Sequence, residues 1–135
     1  MAIPANQDRL TIKSLQRLKL DFPTLLPVHD MIQSGSVQMF TLNVMDSRRR
    51  TEDGFYRIVV HCPNASSQMP MAYVINKMTV ARHPHAYSKG KVPGTNSSSI
   101  MVCLGPYQGT YLANPGDVSS KLSGFINHII SVLNS

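Results

Sequence analysis

Four apolar or alternating runs in series constrain the fold of this chain more than any other sequence feature. Alternation of apolar and polar side chains indicates strands with one buried face, and turn-forming residues between such runs indicate hairpins. Residues 63–70 contain two prolines and a polar middle, which predicts a loop rather than a strand. The sequence therefore predicts a four-stranded antiparallel meander, with strands at residues 28–32, 37–45, 55–62 and 73–80.

A surface helix is predicted before the meander. Leucines recur in helical rhythm among lysines and arginines over residues 8–20. Asn6 or Asp8 is the predicted N-cap, and the helix should end before Pro23, because the residue preceding a proline avoids the α region.

A second helix is predicted at the far end of the chain, with Asp117 or Ser119 as its N-cap. Its apolar residues recur at three- and four-residue steps, at Val118, Leu122, Phe125, Ile126, Ile129 and Leu133. We expect this apolar face to pack on the sheet, which makes the fold class α+β.

Length and charge narrow the class of protein. A chain of 135 residues is the size of one domain, and 13 Lys and Arg against 7 Asp and Glu give a net charge of +6. The basic run Arg48-Arg49-Arg50 is followed at once by acidic residues, so we predict a solvated turn and no nucleic-acid partner. With no apolar run of membrane-spanning length and no signal-like start, the expected location is the cytoplasm, without a membrane partner.

Two cysteines make no disulfide framework, so both are expected to be free thiols. Cys62 ends a predicted strand and is expected to pack in the core. Residues 81–99 form a predicted long surface loop, and Cys103 lies in the short apolar run that follows it. One of the two thiols is therefore a candidate for chemistry, and for Cys103 the alternative is a small buried hydrophobic residue.

Several local motifs resemble those of the ubiquitin-conjugating (E2) enzyme family. Residues 56–63 followed by Met69-Pro70 resemble the strand that runs into the family's proline-rich turn. His83-Pro84-His85 resembles its His-Pro-Asn tripeptide. Cys103-Leu104, with Tyr111 and then Asn114-Pro115 downstream, resembles its active-site segment, and the likeness spans residues 8–133.

The resemblance implies a single minimal E2-like domain over residues 1–135. It implies that Cys103 accepts the C-terminus of a ubiquitin-like protein from an E1-like activating enzyme, as a thioester, and passes it to an amine. An E3 or a direct protein target would be the further partner. No cofactor and no metal are implied.

The resemblance also assigns roles to other residues. His85 stands where the family has asparagine and could stabilise the oxyanion or support the loop, with His83 as a second candidate. Asn96 is a further candidate for the missing amide, although asparagine in such a polar tract is usually a turn former. Tyr111 and Pro115 are expected to shape the groove.

A basic stripe on the first helix is the candidate docking surface for the E1-like enzyme. Arg9, Lys13 and Arg17 recur at four-residue intervals, which places them on one helix face. A merely solvated face is the alternative.

Three departures from the family point to a divergent, bacterial E2-like protein of a ubiquitin-like conjugation operon. His85 replaces the asparagine, the gap around residues 89–99 is longer, and the chain ends at Ser135 after the crossover helix. A non-catalytic E2-variant or RWD-like binding module is therefore the main alternative.

Two other kinds of site have less support in the sequence. A cysteine hydrolase would pair Cys103 with His83 or His85, but the sequence offers no clear orienting acid. A zinc site would draw its ligands from His61, Cys62, His83, His85 and Cys103. The spacing of these residues matches no common zinc-binding motif, so no metal is expected.

Overall fold

A six-stranded antiparallel sheet organises the fold, in the order β1-β4-β5-β6-β8-β7. The structure is a computed structural model that describes residues 9–79, 83–84, 88–93 and 98–135. In these ranges the strands are β1 Leu26–Pro27, β2 Ile32–Gln33, β3 Ser36–Val37, β4 Met39–Met45, β5 Phe55–His61, β6 Met71–Val74, β7 Ser88–Lys91 and β8 Ser98–Met101. The α-helices are α1 Ile12–Asp21, α2 Gln108–Ala113 and α3 Val118–Leu133. The predicted α+β class is confirmed.

The central strand pair follows the predicted alternation. β4 and β5 pair along their whole length, from Met39 opposite His61 to Met45 opposite Phe55. One face of this pair is buried with α3 in a core that includes Phe40, Leu42, Val44, Tyr56, Ile58, Val60, Leu122, Phe125, Ile126 and Ile129. The alternating pattern therefore fixed both the pairing and the buried face.

The helix boundaries depend on their caps. Asp117, one of the two predicted N-caps, caps α3. Its Oδ1 accepts a hydrogen bond from the Ser120 backbone N–H at 2.9 Å. α1 begins later than predicted, because Thr11 is its N-cap and its hydroxyl accepts the Ser14 N–H at 3.1 Å. The predicted caps Asn6 and Asp8 lie outside the described residues.

The predicted first strand, residues 28–32, is wrong in type. His29–Met31 is a 3₁₀ turn, and only the last predicted position enters the short strand β2. Val28 and Met31, three residues apart, both pack against the cluster on the outer sheet face that includes Met39. A 3₁₀ turn brings residues at this spacing to one side, whereas an alternating strand would not.

The fourth predicted strand begins earlier and stops sooner than predicted. β6 ends at Val74, and beyond it the Asn76 side chain takes over the hydrogen bonding to the backbone of β5. Its Oδ1 accepts the Arg57 N–H at 2.8 Å, and its Nδ2 donates to the Phe55 carbonyl at 2.7 Å. A side-chain amide therefore satisfies backbone groups that another strand residue would otherwise pair.

The predicted long loop, residues 81–99, contains strand structure instead. β7 and β8 pair as an antiparallel hairpin, and β8 adds to β6 with Met101 opposite Tyr73. The predicted four-stranded meander is therefore too small. The hairpin is rich in serine, glycine and lysine and lacks apolar alternation, which left its strands without a sequence signal.

A carboxylate organises the polar connection between β4 and β5. Asp46 accepts the backbone N–H of Arg50 at 3.0 Å, and both the N–H and the hydroxyl of Thr51 at 2.8 and 2.7 Å. Partial burial raises the pKa of Asp46, but these hydrogen bonds and one from the Arg48 backbone outweigh it, leaving the pKa below the ordinary 3.8. A depressed pKa in the folded state stabilises the protein above the unfolded pKa, and this contribution is lost as the pH falls through the folded value.

We expect Asp46→Asn to lower the free energy of unfolding by about 2 kcal/mol at neutral pH, because the amide nitrogen cannot accept the Thr51 hydrogen bonds. Urea unfolding at pH 7 and at about pH 3 measures this difference, which should shrink at the lower pH. Asp30→Asn, at an exposed position, is the control. A difference between Asp46→Asn and wild type that is the same at both pH values would contradict this role.

Candidate active site

Cys103 lies just beyond the end of β8, where the chain leaves the sheet. Val102 donates its N–H to the Ala72 carbonyl at 3.0 Å, so antiparallel pairing continues one residue past Met101. The same register, carried one residue further, sets Cys103 opposite Met71. Val102 and Leu104 are buried on either side, while Cys103 is an exposed free thiol.

An open groove of about 250 Å³ surrounds Cys103. Its lining is apolar and comes from the start of β6 and from the chain around the end of β8: Met69, Pro70, Met71, Ala72, Met101, Val102, Cys103, Leu104 and Gly105. Among these lining residues, the Cys103 thiol is the one ionisable side chain. The groove therefore presents a nucleophile on an apolar floor.

The chain after Cys103 is fixed to α3. Gly105–Tyr107 forms a 3₁₀ turn, and the Tyr107 N–H donates to the Leu104 carbonyl at 3.0 Å. The Tyr107 ring stacks on His128 of α3 with ring centres 4.2 Å apart. Burial there lowers the pKa of His128, which favours the neutral imidazole that can stack against the tyrosine. This contact holds the downstream wall of the groove.

Tyr111 lies in the core and not in the groove, contrary to the expectation from the resemblance. Its side chain is fully buried, its hydroxyl donates to the Ala65 carbonyl, and its ring meets Phe125 edge-on at 5.9 Å. Burial raises the pKa of this phenol, with nearby Cys62 adding to the shift. Through Ala65, Tyr111 holds the 62–70 loop that brings Met69 to the groove.

The α2 segment that carries Tyr111 is itself held by a buried lysine. Lys121 donates from Nζ to the Tyr111 carbonyl at 3.1 Å and to the Leu112 carbonyl at 3.4 Å. Its Nζ also lies 5.4 Å from the centre of the Tyr111 ring. Pro115 follows α2 as an exposed turn residue and is not among the groove-lining residues.

The structure does not bring His83 to Cys103. His83 is buried at the C-terminal end of α3, where its Nε2 lies 3.0 Å from the Leu133 carbonyl and 3.1 Å from Arg50 Nη1. Its ring meets Tyr56 at 5.9 Å. Tyr56, beside His83, lies five residues along β5 from His61, which pairs with Met71 of the groove. About 16 Å of strand therefore separates the His83 end of β5 from the groove end.

Part of the basic run also belongs to that far end. Arg50 donates to the carbonyls of Leu133 and Ser135 at 3.0 and 2.8 Å, and Arg48 donates to the Asn134 carbonyl at 3.2 Å. These cations complement the C-terminal end of the α3 dipole. The predicted solvated turn is therefore partly a helix-capping device. His85 and Asn96 lie outside the described residues.

Cys62 packs in the core, as predicted. It is 2% exposed, its sulfur lies 3.9 Å from the Val37 carbonyl, and burial raises the pKa of its thiol to about 12. A thiol with such a pKa is almost wholly protonated at neutral pH and is a poor nucleophile. The two cysteines therefore differ sharply in access to solvent.

We expect iodoacetamide to label one thiol in the folded protein at neutral pH, because Cys103 is exposed and Cys62 is buried. Intact mass spectrometry of wild type, Cys103→Ser and Cys62→Ser counts the adducts. Native Cys103→Ser should remain unlabelled until urea unfolds it. Labelling of both thiols at similar rates in the folded state would contradict the difference in burial.

The predicted basic stripe is only partly helical. Lys13 and Arg17 are exposed on α1, but Arg9 precedes the helix and lines a polar depression with Gln33, Ser34, Ser36, Gln38, Pro63 and Asn64. Arg17 pairs with Asp117 at 3.3 Å, joining α1 to the cap of α3. An exposed pair of this kind contributes little to stability.

Sequence reasoning missed the three methionines of the groove. Met69-Pro70-Met71 and Met101-Val102-Cys103 each place sulfur-bearing residues two positions apart, a spacing that puts them on one side of extended chain. This spacing was the available signal. Among the described residues, no group of three or more His, Cys, Asp or Glu side chains could hold a metal ion.

In the described part of the chain, no helix combines the length and apolar character needed to cross a bilayer.

Comparison with known proteins found no similar protein. The chain matches no protein-family model, no curated protein and no solved structure.

Proposed function

We propose that this protein is an E2-like carrier that accepts the C-terminus of a ubiquitin-like protein as a thioester on Cys103. The observation that carries the proposal is the exposure of Cys103 in an open apolar groove. Free cysteine is among the residue types most often buried, and Cys62 of this chain follows that rule. An accessible thiol held between two buried neighbours is suited to accept an acyl group.

The chemistry needs no cofactor on this chain. The Cys103 thiolate attacks the carbonyl carbon of a thioester on the activating enzyme, a new C–S bond forms, and the old thiolate leaves. In the second step, an amine attacks the new thioester, the C–S bond to Cys103 breaks, and the amine loses a proton as the amide forms. The ATP-dependent activation belongs to the E1-like partner.

The architecture around the cysteine supports the same proposal. A helix, an antiparallel sheet, a cysteine at the sheet's end and a long helix packed on the sheet follow one another in the order that the family resemblance implies. The apolar groove would hold a peptide tail mainly through burial of its side chains. The 3₁₀ turn and the Tyr107–His128 stack fix one wall before a tail binds.

Transfer of the acyl group from Cys103 to an amine has less support than thioester formation in the part of the chain that the structure describes. The groove lining offers no acid, base or amide side chain that would assist an attacking amine. This favours the alternative of a non-catalytic binding module, or a carrier whose assisting group comes from His85 or from an E3 or target protein. The charging step is therefore the part of the proposal to test first.

The test incubates the protein with an E1-like activating enzyme, a ubiquitin-like protein and ATP, and neighbouring genes are the place to look for the cognate pair. The proposal predicts a band at the summed mass of the protein and its modifier that disappears on treatment with a thiol reductant. Omitting ATP should abolish the band. A binding module would instead co-elute with a partner in size-exclusion chromatography and give no covalent band.

We expect Lys13→Glu to slow charging severalfold if α1 docks the activating enzyme, because reversing a docking charge lowers the rate of encounter. Lys19→Glu is the matched control, since it makes the same charge change on α1 but about 120° away around the helix. Initial rates of thioester formation at low salt measure both. Equal slowing by the two variants would indicate a general charge effect and no docking face.

A further inference from the structure

Four sulfur-bearing side chains line the groove, and strand register brings three of them to one sheet face. The β6–β8 register, carried past Met101, sets Cys103 opposite Met71, and Met101 ends β8 two residues before Cys103. Directly opposed residues have Cβ atoms about 5 Å apart, and diagonal neighbours about 7–8 Å. Both separations are within the reach of long side chains, so Met71 and Met101 can each approach Cys103 on this face.

Met69 comes from the preceding loop, where it packs against the main core. It lines the same groove, two residues before Met71, and Pro70 lies between them. Proline fixes its own φ and restricts the residue before it, so the Met69-Pro70-Met71 backbone is stiffened. Tyr111 further holds this loop through the Ala65 carbonyl. The two methionines are therefore presented on constrained backbone.

We propose that the Cys103 groove is a binding site for a soft monovalent cation, Cu(I) by the chemistry of its ligands. Thiolate and thioether sulfur favour Cu(I), whereas magnesium, calcium and manganese favour oxygen ligands. Among the described residues that line the groove, none carries a carboxylate, an imidazole or a side-chain amide. This sulfur-only lining disfavours the nitrogen and oxygen coordination typical of Cu(II).

Charge and access also suit such an ion. The part of the groove lining that the structure describes carries no lysine or arginine, although the whole chain has a net charge of +6. Binding one Cu(I) to the Cys103 thiolate leaves the pair neutral, so the ion requires no further anion. Met71 is 40% exposed and Cys103 is exposed, which lets a donor deliver the ion directly.

The binding step balances without an oxidant. Cys103 loses its thiol proton to solvent as the sulfur–copper bond forms, the methionine thioethers donate lone pairs, and copper remains in the +1 state. Occupation of Cys103 by the ion blocks its nucleophilic sulfur. The site would therefore switch off acylation at the same residue if the proposed carrier function holds, while binding itself does not depend on that function.

Ag(I), which has the same charge and softness and does not change oxidation state, is the first probe, and Cu(I) under anaerobic conditions is the second. We expect one ion per folded chain by native mass spectrometry, and protection of Cys103 from iodoacetamide. Competition with a chromophoric Cu(I) chelator then gives the affinity. Cys103→Ser should abolish stoichiometric binding and Cys62→Ser should preserve it.

The methionines are tested by the double variant Met71→Leu/Met101→Leu, which keeps side-chain volume and leaves the thiol in place. We expect it to weaken Cu(I) binding on the order of tenfold or more while alkylation of the free thiol proceeds at the wild-type rate. Met45→Leu, at an exposed methionine outside the groove, is the matched control.

Wild-type affinity in the double methionine variant would overturn the proposal, because Met71 and Met101 would then contribute nothing to ion binding. Binding of more than one ion per chain, unchanged by Cys103→Ser, would overturn it as well. These assays contain no activating enzyme, so their failure and a failure of thioester formation can be told apart.

Discussion

Replacing Tyr111 with alanine is expected to lower the free energy of unfolding by about 4 kcal/mol, because it removes a fully buried aromatic ring from the core. The ring packs edge-on against Phe125, and its hydroxyl holds the Ala65 carbonyl in the loop before β6. The cavity would open between α2, α3 and the groove loop. Urea unfolding followed by circular dichroism measures the loss.

Two further variants divide this effect into parts. Tyr111→Phe keeps the ring but leaves the Ala65 carbonyl without its donor, which should cost about 1–2 kcal/mol. Leu112→Ala, at the next and exposed position of α2, is the control and should cost well under half of the Tyr111→Ala value. A loss below about 1 kcal/mol for Tyr111→Ala would contradict the core position of this residue.

Substitutions of Cys103 are expected to have the largest effect on function. Cys103→Ala should abolish the reductant-sensitive species, because the acyl group has no sulfur to attack. Cys103→Ser should replace it with a slowly formed, reductant-resistant ester, since the hydroxyl is a far weaker nucleophile than a thiolate at neutral pH. Gel mobility with and without reductant separates the three species.

Cys62→Ser is the matched control for these variants, because it makes the same substitution at the buried thiol. Its charged fraction should equal that of wild type once any loss of stability is allowed for by working well below its unfolding temperature. Charging of Cys103→Ala by a reductant-sensitive bond would place the acyl group on Cys62 and contradict the proposal.

The parts of the fold that sequence predicted are those with strong periodicity or a defined cap. Alternation along β4 and β5 gave the central pairing, and Asp117 marked the start of α3. β7 and β8 escaped detection because their polar residues lack alternation, and because β8 is joined to the sheet by pairing with β6, a long-range contact that no local pattern encodes. The run at residues 28–32 suggested a strand because its periodicity is too short to distinguish a strand from a 3₁₀ turn.

In the candidate site, too, features with a local sequence signal were predicted and features set by long-range contacts were not. The core position of Cys62 was predicted from its strand, whereas Cys103 was singled out by the family resemblance, and its exposure is a finding of the structure. Tyr111 was assigned to the groove because resemblance gives an order of residues and not the direction of a side chain. The far position of His83 depends on its contacts with the end of α3, about 50 residues later in the chain.

Peptide mapping by mass spectrometry of the charged protein tests the central claim most directly. The account predicts one modified site, Cys103, joined to the modifier's C-terminal carboxyl with loss of water and released by a thiol reductant. With active cognate partners, the absence of any adduct, or an adduct confined to Cys62 or a lysine, would contradict the assignment of Cys103 as the acyl carrier.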